Sequence, residues 1–218
     1  GSGDWNDGMN RVGARGRGES VWLAFFLHDV LTHFAPTAEQ HGDAPFAAQC
    51  RDTAASLARQ LDMHAWDGQW YRRGTFDDGQ PLGSALNMEC RIDSLPQSWA
   101  TLSGVGTPER RALALDALWD QLVSQELQIV RLFTPPFDRS AQEPGYIKAY
   151  PPGVRENGGQ YTHAAVWAAM ALAQAGRSEQ AEALVSMLNP IRHALDPAAV
   201  ARYKVEPYVL SADIYSQA

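Results

Sequence analysis

The chain has 218 residues and a formal charge of −7, with Lys+Arg 18 against Asp+Glu 25, which argues against a nucleic-acid-binding surface. Hydrophobic residues at 45% and charged residues at 20% describe a chain that buries a core rather than a disordered one. No apolar run nears the ~20 residues of a membrane span, no signal peptide stands at the start, and the two cysteines, Cys50 and Cys90, are too few for a disulfide scaffold. One cytosolic domain, or part of one, with two reduced core thiols is the expectation.

Helical periodicity dominates. From Glu19 to Phe34 the apolar residues Leu23, Phe26, Leu27, Val30, Leu31 and Phe34 recur at helical spacing, and Trp22 and Phe25 widen the stripe. This predicts a helix buried on most sides, stopped by Pro36. A second, amphipathic helix is predicted over Pro45 to Met63, with Ala47, Cys50, Ala54, Leu57, Ala58 and Leu61 inward. Two Asp-Gly steps beside aromatic runs, at Asp67-Gly68 and Asp78-Gly79, predict a short hairpin or tight loop. A third helix follows over Ser94 to Ser103 with Asp93 as its cap. A fourth starts at Thr107-Pro108, a cap followed by proline at the first helical position. The Pro- and Gly-rich stretch 126–160 reads as a long ordered loop, a kind of segment that is usually functional. A fifth helix, Tyr161 to Ala175, has an entirely apolar body from Ala164 to Ala173 and ends at Gly176, so it must be enclosed. A sixth, amphipathic helix covers Ser178 to Leu188. Buried and outer helices alternate about three times. The predicted fold is therefore all-α, about half of an (α/α)6 barrel.

Two segments carry candidate chemistry. Gly3-Asp4-Trp5-Asn6-Asp7-Gly8 places two carboxylates around a Trp-Asn pair. Glycosidic cleavage needs a carboxylic acid to protonate the leaving oxygen, and an apolar neighbour such as Trp5 favours the protonated form. The bland alternative is an Asx-turn serving only the backbone. Gly153 to His163 combines a Gly158-Gly159 pair, Arg155 and His163 at the start of the fifth helix, which suits a phosphate or sugar oxygen. Its bland alternative is a tight turn with Thr162 capping and His163 buried. Asp77-Asp78 reads as a solvated turn, and the remaining histidines form no metal-ligand pattern with the cysteines. The many Trp and Tyr fit either a helical core or the faces of sugars.

Asp4-Trp5-Asn6-Asp7-Gly8, Tyr146-Ile147-Lys148, Pro152 to His163 and Tyr203-Lys204-Val205-Glu206-Pro207-Tyr208 together resemble glycoside hydrolase family 94, the inverting phosphorylases of β-linked glucans. Gly18-Glu19-Ser20-Val21-Trp22-Leu23, Phe76-Asp77-Asp78-Gly79 and Leu132 to Asp138 are also similar to the C-terminal phosphorylase-like domain of the cyclic β-1,2-glucan synthases. The likeness runs over essentially the whole chain and implies that Gly1-Ser2-Gly3 is native sequence. It implies an (α/α)6 barrel with Asp7 as general acid. It places Trp5, Asp4, Arg155, Glu156, Gln160 and Tyr161 at the sugar sites and His163 on phosphate. It implies inorganic phosphate as co-substrate, no resident cofactor and no metal. A β-glucan oligosaccharide is the partner. Some relatives carry Lys where Arg155 stands, and the family's Thr-Gly phosphate pair and first half-barrel do not occur here. Residues 1–218 are therefore expected to be the C-terminal part of a catalytic domain, completed by the rest of its polypeptide. That part is cytoplasmic, in a parent at the inner membrane, and prone to form a homo-oligomer through uncovered apolar faces. A hydrolase using Glu156 or Asp4 to activate water, and a non-catalytic module that binds or gauges glucan, are the rival expectations.

Overall fold

Local capping signals place most helices where the sequence predicts them. In the computed structural model, which describes residues 4–216, the Ser20 side chain accepts the backbone N–H of Leu23 at 3.2 Å, and α1 runs Val21–Gln40 behind the two-residue strand β1, Glu19–Ser20. Asp43 caps α2, Ala44–His64. Strands β2, Gly74–Thr75, and β3, Pro81–Leu82, form a hairpin that extends the antiparallel sheet to β1-β2-β3. Strand β4, Ile92–Asp93, leads into α3, Ser94–Leu102, which Asp93 caps as expected. Thr107 caps α4, Pro108–Leu122. Strand β5 (Val123–Ser124) follows α4, the stretch read as a loop carries β6 (Ile129–Val130), β7 (Phe133–Thr134) and a 3-10 turn at Tyr146–Ala149, and β8 (Gln160–Tyr161) begins at its end. Then follow α5 (Thr162–Gln174), α6 (Ser178–Leu188), α7 (Pro197–Tyr203) and β9 (Asp213–Ile214), which pairs with β8. The Gly1-Ser2-Gly3 segment lies outside the described residues.

The helices pack as three pairs. α1 lies on α2, α3 on α4 and α5 on α6, while α1, α3 and α5 pack on one another in that order. The chain is thus a mostly helical arc of an α/α barrel. Each inner helix is led by a short strand, β1, β4 or β8, so the strand ends and loops gather at the helix N-termini. One core cluster joins Phe25, Tyr71, Trp99, Phe133, Phe137 and Ile147. A second fills the space between α4, α5 and α6 with Leu115, Leu118, Leu172 and Leu184. The alanines of α5, Ala164, Ala165, Ala168 and Ala171, are buried and let its neighbours approach closely. No helix among the described residues is long and apolar enough to cross a membrane.

Two expectations fail for α1. Pro36 lies inside the helix instead of stopping it. An interior proline removes one hydrogen bond, but Ala35 and Ala38 around it are buried, and that packing carries the helix on to Gln40. The predicted inward stripe also splits, with Phe26 packed on the core beside Trp22 and four of its residues turned outward. Trp22 and Phe25 are buried, whereas Leu23, Leu27, Val30 and Phe34, all on one face, are 40 to 47% exposed. Val166 and Met170 of α5 are exposed in the same i, i+4 manner, so that helix is enclosed on one side only.

Candidate active site

The first site element is a turn built by short polar side chains. Asp4 Oδ1 accepts the Asn6 N–H at 3.1 Å, and buried Asn6 accepts the Gly8 N–H at 3.0 Å through Oδ1. Asn6 thereby caps a 3-10 turn at Asp7–Met9 and leaves Asp7 exposed at its first position. Glycine is required next. A Cβ on Gly8 would lie 2.7 Å from the Cβ of Ile147, in the 3-10 turn packed against it.

Asp4 itself faces inward. Its carboxylate ion-pairs with the Arg73 guanidinium and accepts the Ser20 hydroxyl at 2.5 Å. Arg73 also donates to Ser20 Oγ at 3.1 Å and lies 3.2 Å from Asp93 Oδ2. One buried guanidinium thus joins the site turn to the caps of α1 and α3. Burial opposes ionisation of Asp4, but Arg73, Ser20 and the Asn6 N–H outweigh it and hold the carboxyl at about 2. Burial wins at Asp93, pushing it up to about 6 against the pull of Arg73. Burial disfavours the Arg73 cation, but the two carboxylates keep its pKa raised. Asp4, expected at a sugar site, has its oxygens engaged in the interior, where it anchors the turn.

The second element is the 153–163 turn. Asn157, fully buried, accepts the Phe137 N–H at 2.7 Å and donates to the Phe137 and Tyr150 carbonyls at 2.9 and 2.8 Å. The glycine pair lets neighbouring segments of the fold pack closely. A Cβ on Gly158 would meet Pro136 at 2.9 Å, and one on Gly159 would meet the Arg155 carbonyl at 2.6 Å. Gln160, also expected at a sugar site, is buried and accepts the Val130 N–H at 2.9 Å. Arg155 takes a positive φ of 52°, uncommon for a side-chain-bearing residue. Its guanidinium lies 3.6 Å from Glu156 Oε2, 4.0 Å from Asp213 Oδ2 and 5.1 Å above the Tyr150 ring.

The two elements meet at Trp5. Its indole Nε1 donates to His163 Nδ1 at 3.1 Å, and its ring stands edge-on to Tyr161 with centroids 5.0 Å apart. An indole can only donate, so Nδ1 of His163 carries the lone pair and a neutral His163 carries its proton on Nε2. His163 is exposed rather than buried, and Thr162 is the first residue of α5 rather than its cap. No side chain caps α5 at Tyr161, so the first turn of that helix keeps N–H groups free of side-chain partners. Behind Trp5 an aromatic wall continues through Trp167 to Trp99 and Trp22, with ring centroids 5.2 to 6.1 Å apart. Asp7 acts electrostatically on both flanks. The Tyr146 and Tyr161 phenols are raised by desolvation and then by the negative charges of Asp7 and Glu156, with Asp213 adding to Tyr161.

Sequence reasoning missed Arg73, Ser20 and Asp213, whose partners are remote in the chain, and Asp93 beyond its cap. It also read Asp77 as solvated. The Asp77 carboxylate instead accepts three backbone N–H groups, from Arg15, Arg17 and Gly18, at 2.9 to 3.0 Å. Both cysteines are buried and free. Among the described residues no three His, Cys, Asp or Glu side chains converge as metal ligands.

An exposed carboxyl, a histidine with a fixed tautomer, a guanidinium and an aromatic wall gather at one end of the helical arc. The model of the glycosyl hydrolase 94 superfamily catalytic domain matches residues 1–218, and the chain belongs to that family. It is 55% identical, over 99% of its length, to the cyclic beta-(1,2)-glucan synthase NdvB of Rhizobium meliloti, covering 8% of that protein. It is 37% identical to a 3-O-beta-D-glucopyranosyl-beta-D-glucuronide phosphorylase and 32% identical to a solabiose phosphorylase, both of Paenibacillus borealis. Those matches cover 87% and 86% of the chain and 24% of each relative. The chain spans a quarter or less of the curated relatives it matches.

Proposed function

We infer that the whole polypeptide containing this chain phosphorolyses β-1,2-linked glucan with inversion, and that residues 1–218 are the C-terminal part of its (α/α)6 catalytic domain. The observation that carries this reading is the coupling of the Asp7 turn to His163 through Trp5. Trp5 occupies Nδ1 of His163, so the Nε2–H is left to donate to an anion beside the uncapped N-terminus of α5, where negative charge is favoured. A phosphate oxygen attacks the anomeric carbon from the face opposite the glycosidic oxygen. The C–O bond breaks with its electron pair passing to that oxygen, which takes the Asp7 proton. Phosphate is itself the nucleophile, so the second carboxylate that an inverting hydrolase uses to activate water is not required. The exposed stripe Leu23, Leu27, Val30 and Phe34 is where the remaining barrel helices pack. The partners are a β-glucan oligosaccharide and phosphate, with no resident cofactor.

The test is glucose 1-phosphate formation from β-1,2-glucan oligomers and phosphate by the whole polypeptide. Asp7→Asn is expected to lower the rate by about 10²-fold or more. A fully active Asp7→Asn variant removes Asp7 from the acid role. One observation favours hydrolysis as a second reading. Glu156 Oε2 accepts no hydrogen bond among the described residues and has only the Arg155 guanidinium at 3.6 Å, which leaves it a lone pair for a water drawn into the site. Glucose release that is indifferent to phosphate would select that reading.

A further inference from the structure

Beside the Asp7 turn runs an open groove of about 360 Å³, lined by Asn10, Arg11, Glu143, Gly145, Tyr146 and Lys148. Its position is fixed by packing between the two 3-10 turns. The Arg11 N–H donates to the Pro144 carbonyl at 3.0 Å, and the Tyr146 N–H to Asn10 Oδ1 at 3.3 Å. Tyr146 belongs to both the groove and the site. Its ring is 49% exposed and stands edge-on to Tyr150 at 6.2 Å, while its phenol feels the charges of Asp7 and Glu156. Lys148 is not free to bind, since its Nζ donates to the Ser140 and Gln142 carbonyls. The exposed side chains of Arg11 and Glu143 have no hydrogen bond or ion pair among the described residues.

One aromatic face with one free donor and one free acceptor suits a neutral polyhydroxylated ring better than an anion, which Glu143 would repel. We propose that this groove is a subsite for a further sugar unit of the glucan on the leaving-group side of the cleaved bond, with Tyr146 as its stacking platform and Arg11 and Glu143 reading hydroxyls. This rests on the phosphorylase reading. Inversion puts nucleophile and leaving group on opposite faces of the anomeric carbon, and the groove shares no lining residue with the Trp5–His163 side that receives the phosphate. The size of the groove lies at the lower end for small-ligand sites, which fits one or two sugar units rather than a long chain.

The experiment compares the whole polypeptide with its Tyr146→Ala and Tyr146→Phe variants on a β-1,2-linked disaccharide and on an oligomer of about six units, a length chosen to exceed the groove. Tyr146→Ala is expected to lower kcat/KM for the oligomer about tenfold more than for the disaccharide, through KM, a loss matching about 1.4 kcal/mol of binding. Tyr146→Phe, which keeps the ring face, is expected to restore the ratio. Equal losses for both lengths, or none, overturn the subsite. If the unaltered polypeptide turns over neither substrate with phosphate, the enzymatic reading fails separately. The subsite is then decided by calorimetric affinity for the oligomer, which Tyr146→Ala must weaken and Tyr146→Phe must keep.

Discussion

The two turns that make the site are anchored by different physics. The Asp4–Met9 turn hangs on a buried cluster, Asp4–Arg73–Asp93, in which Asp4 ionises more readily and Asp93 less readily than an exposed carboxyl. The 153–159 turn hangs on a neutral amide, Asn157, and on glycines that let backbone segments touch. A charged anchor gathers several elements at once, because one guanidinium reaches the site turn and the caps of two helices. A neutral anchor is local and indifferent to pH. The turn carrying Asp7 is therefore the one whose hold responds to protonation, while the turn leading to His163 does not.

The largest expected effect comes from Arg73→Met in the whole polypeptide. It strands two buried carboxylates facing each other and should cost about 3–5 kcal/mol in urea unfolding. A loss below about 1 kcal/mol would mean that water already screens the cluster as it does a surface pair. Asn157→Ala ranks second, at about 2–3 kcal/mol. It leaves one N–H and two carbonyls of the second turn without partners, and the loss should be the same at pH 5 and pH 8. A pH-dependent loss there would erase the contrast between the two anchors.

The smallest and sharpest effect concerns pH. Asp93 is raised in the folded state from 3.8 to about 6, so between those values the folded chain holds a proton that the unfolded chain has released. Its contribution to stability is present below the unfolded pKa and declines as pH rises to about 6. Asp4 has the opposite sign, since its folded value of about 2 means stability present above about 4 and lost as pH falls toward 2. The difference in unfolding free energy between the unaltered protein and Asp93→Asn should therefore slope through pH 4 to 6 and flatten above it. A flat difference across that window would show that Asp93 ionises as an exposed carboxylate does.

Much of the fold was legible from local signals. Thr107-Pro108, Asp93 and Gly176 marked helix ends because caps are decided within a few residues of chain. The alternation of inner and outer helices followed from periodicity in the same way. Asp7 and His163 stood out as chemistry-bearing residues within recognisable segments, and both are exposed at the site. The α1 stripe was legible as apolar but not as covered or bare, since periodicity reports a face and not its partner.

What the sequence determined alone was the first six helices, their order, and the two motif segments, all properties of short-range chemistry, whereas α7 went unread. Tertiary structure decided which of two carboxylates in one motif works outward and which inward. Asp4 and Asp7 are three positions apart and chemically alike, yet Arg73, 69 residues from Asp4, draws Asp4 into the interior and leaves Asp7 in the open. It also decided which segments press against Gly158-Gly159, and that Trp5 sets the tautomer of a histidine 158 residues away. Hydrogen bonds and ion pairs act over about 3 Å of space whatever their distance in the chain. Roles assigned by such contacts become readable only once folding has brought the partners together.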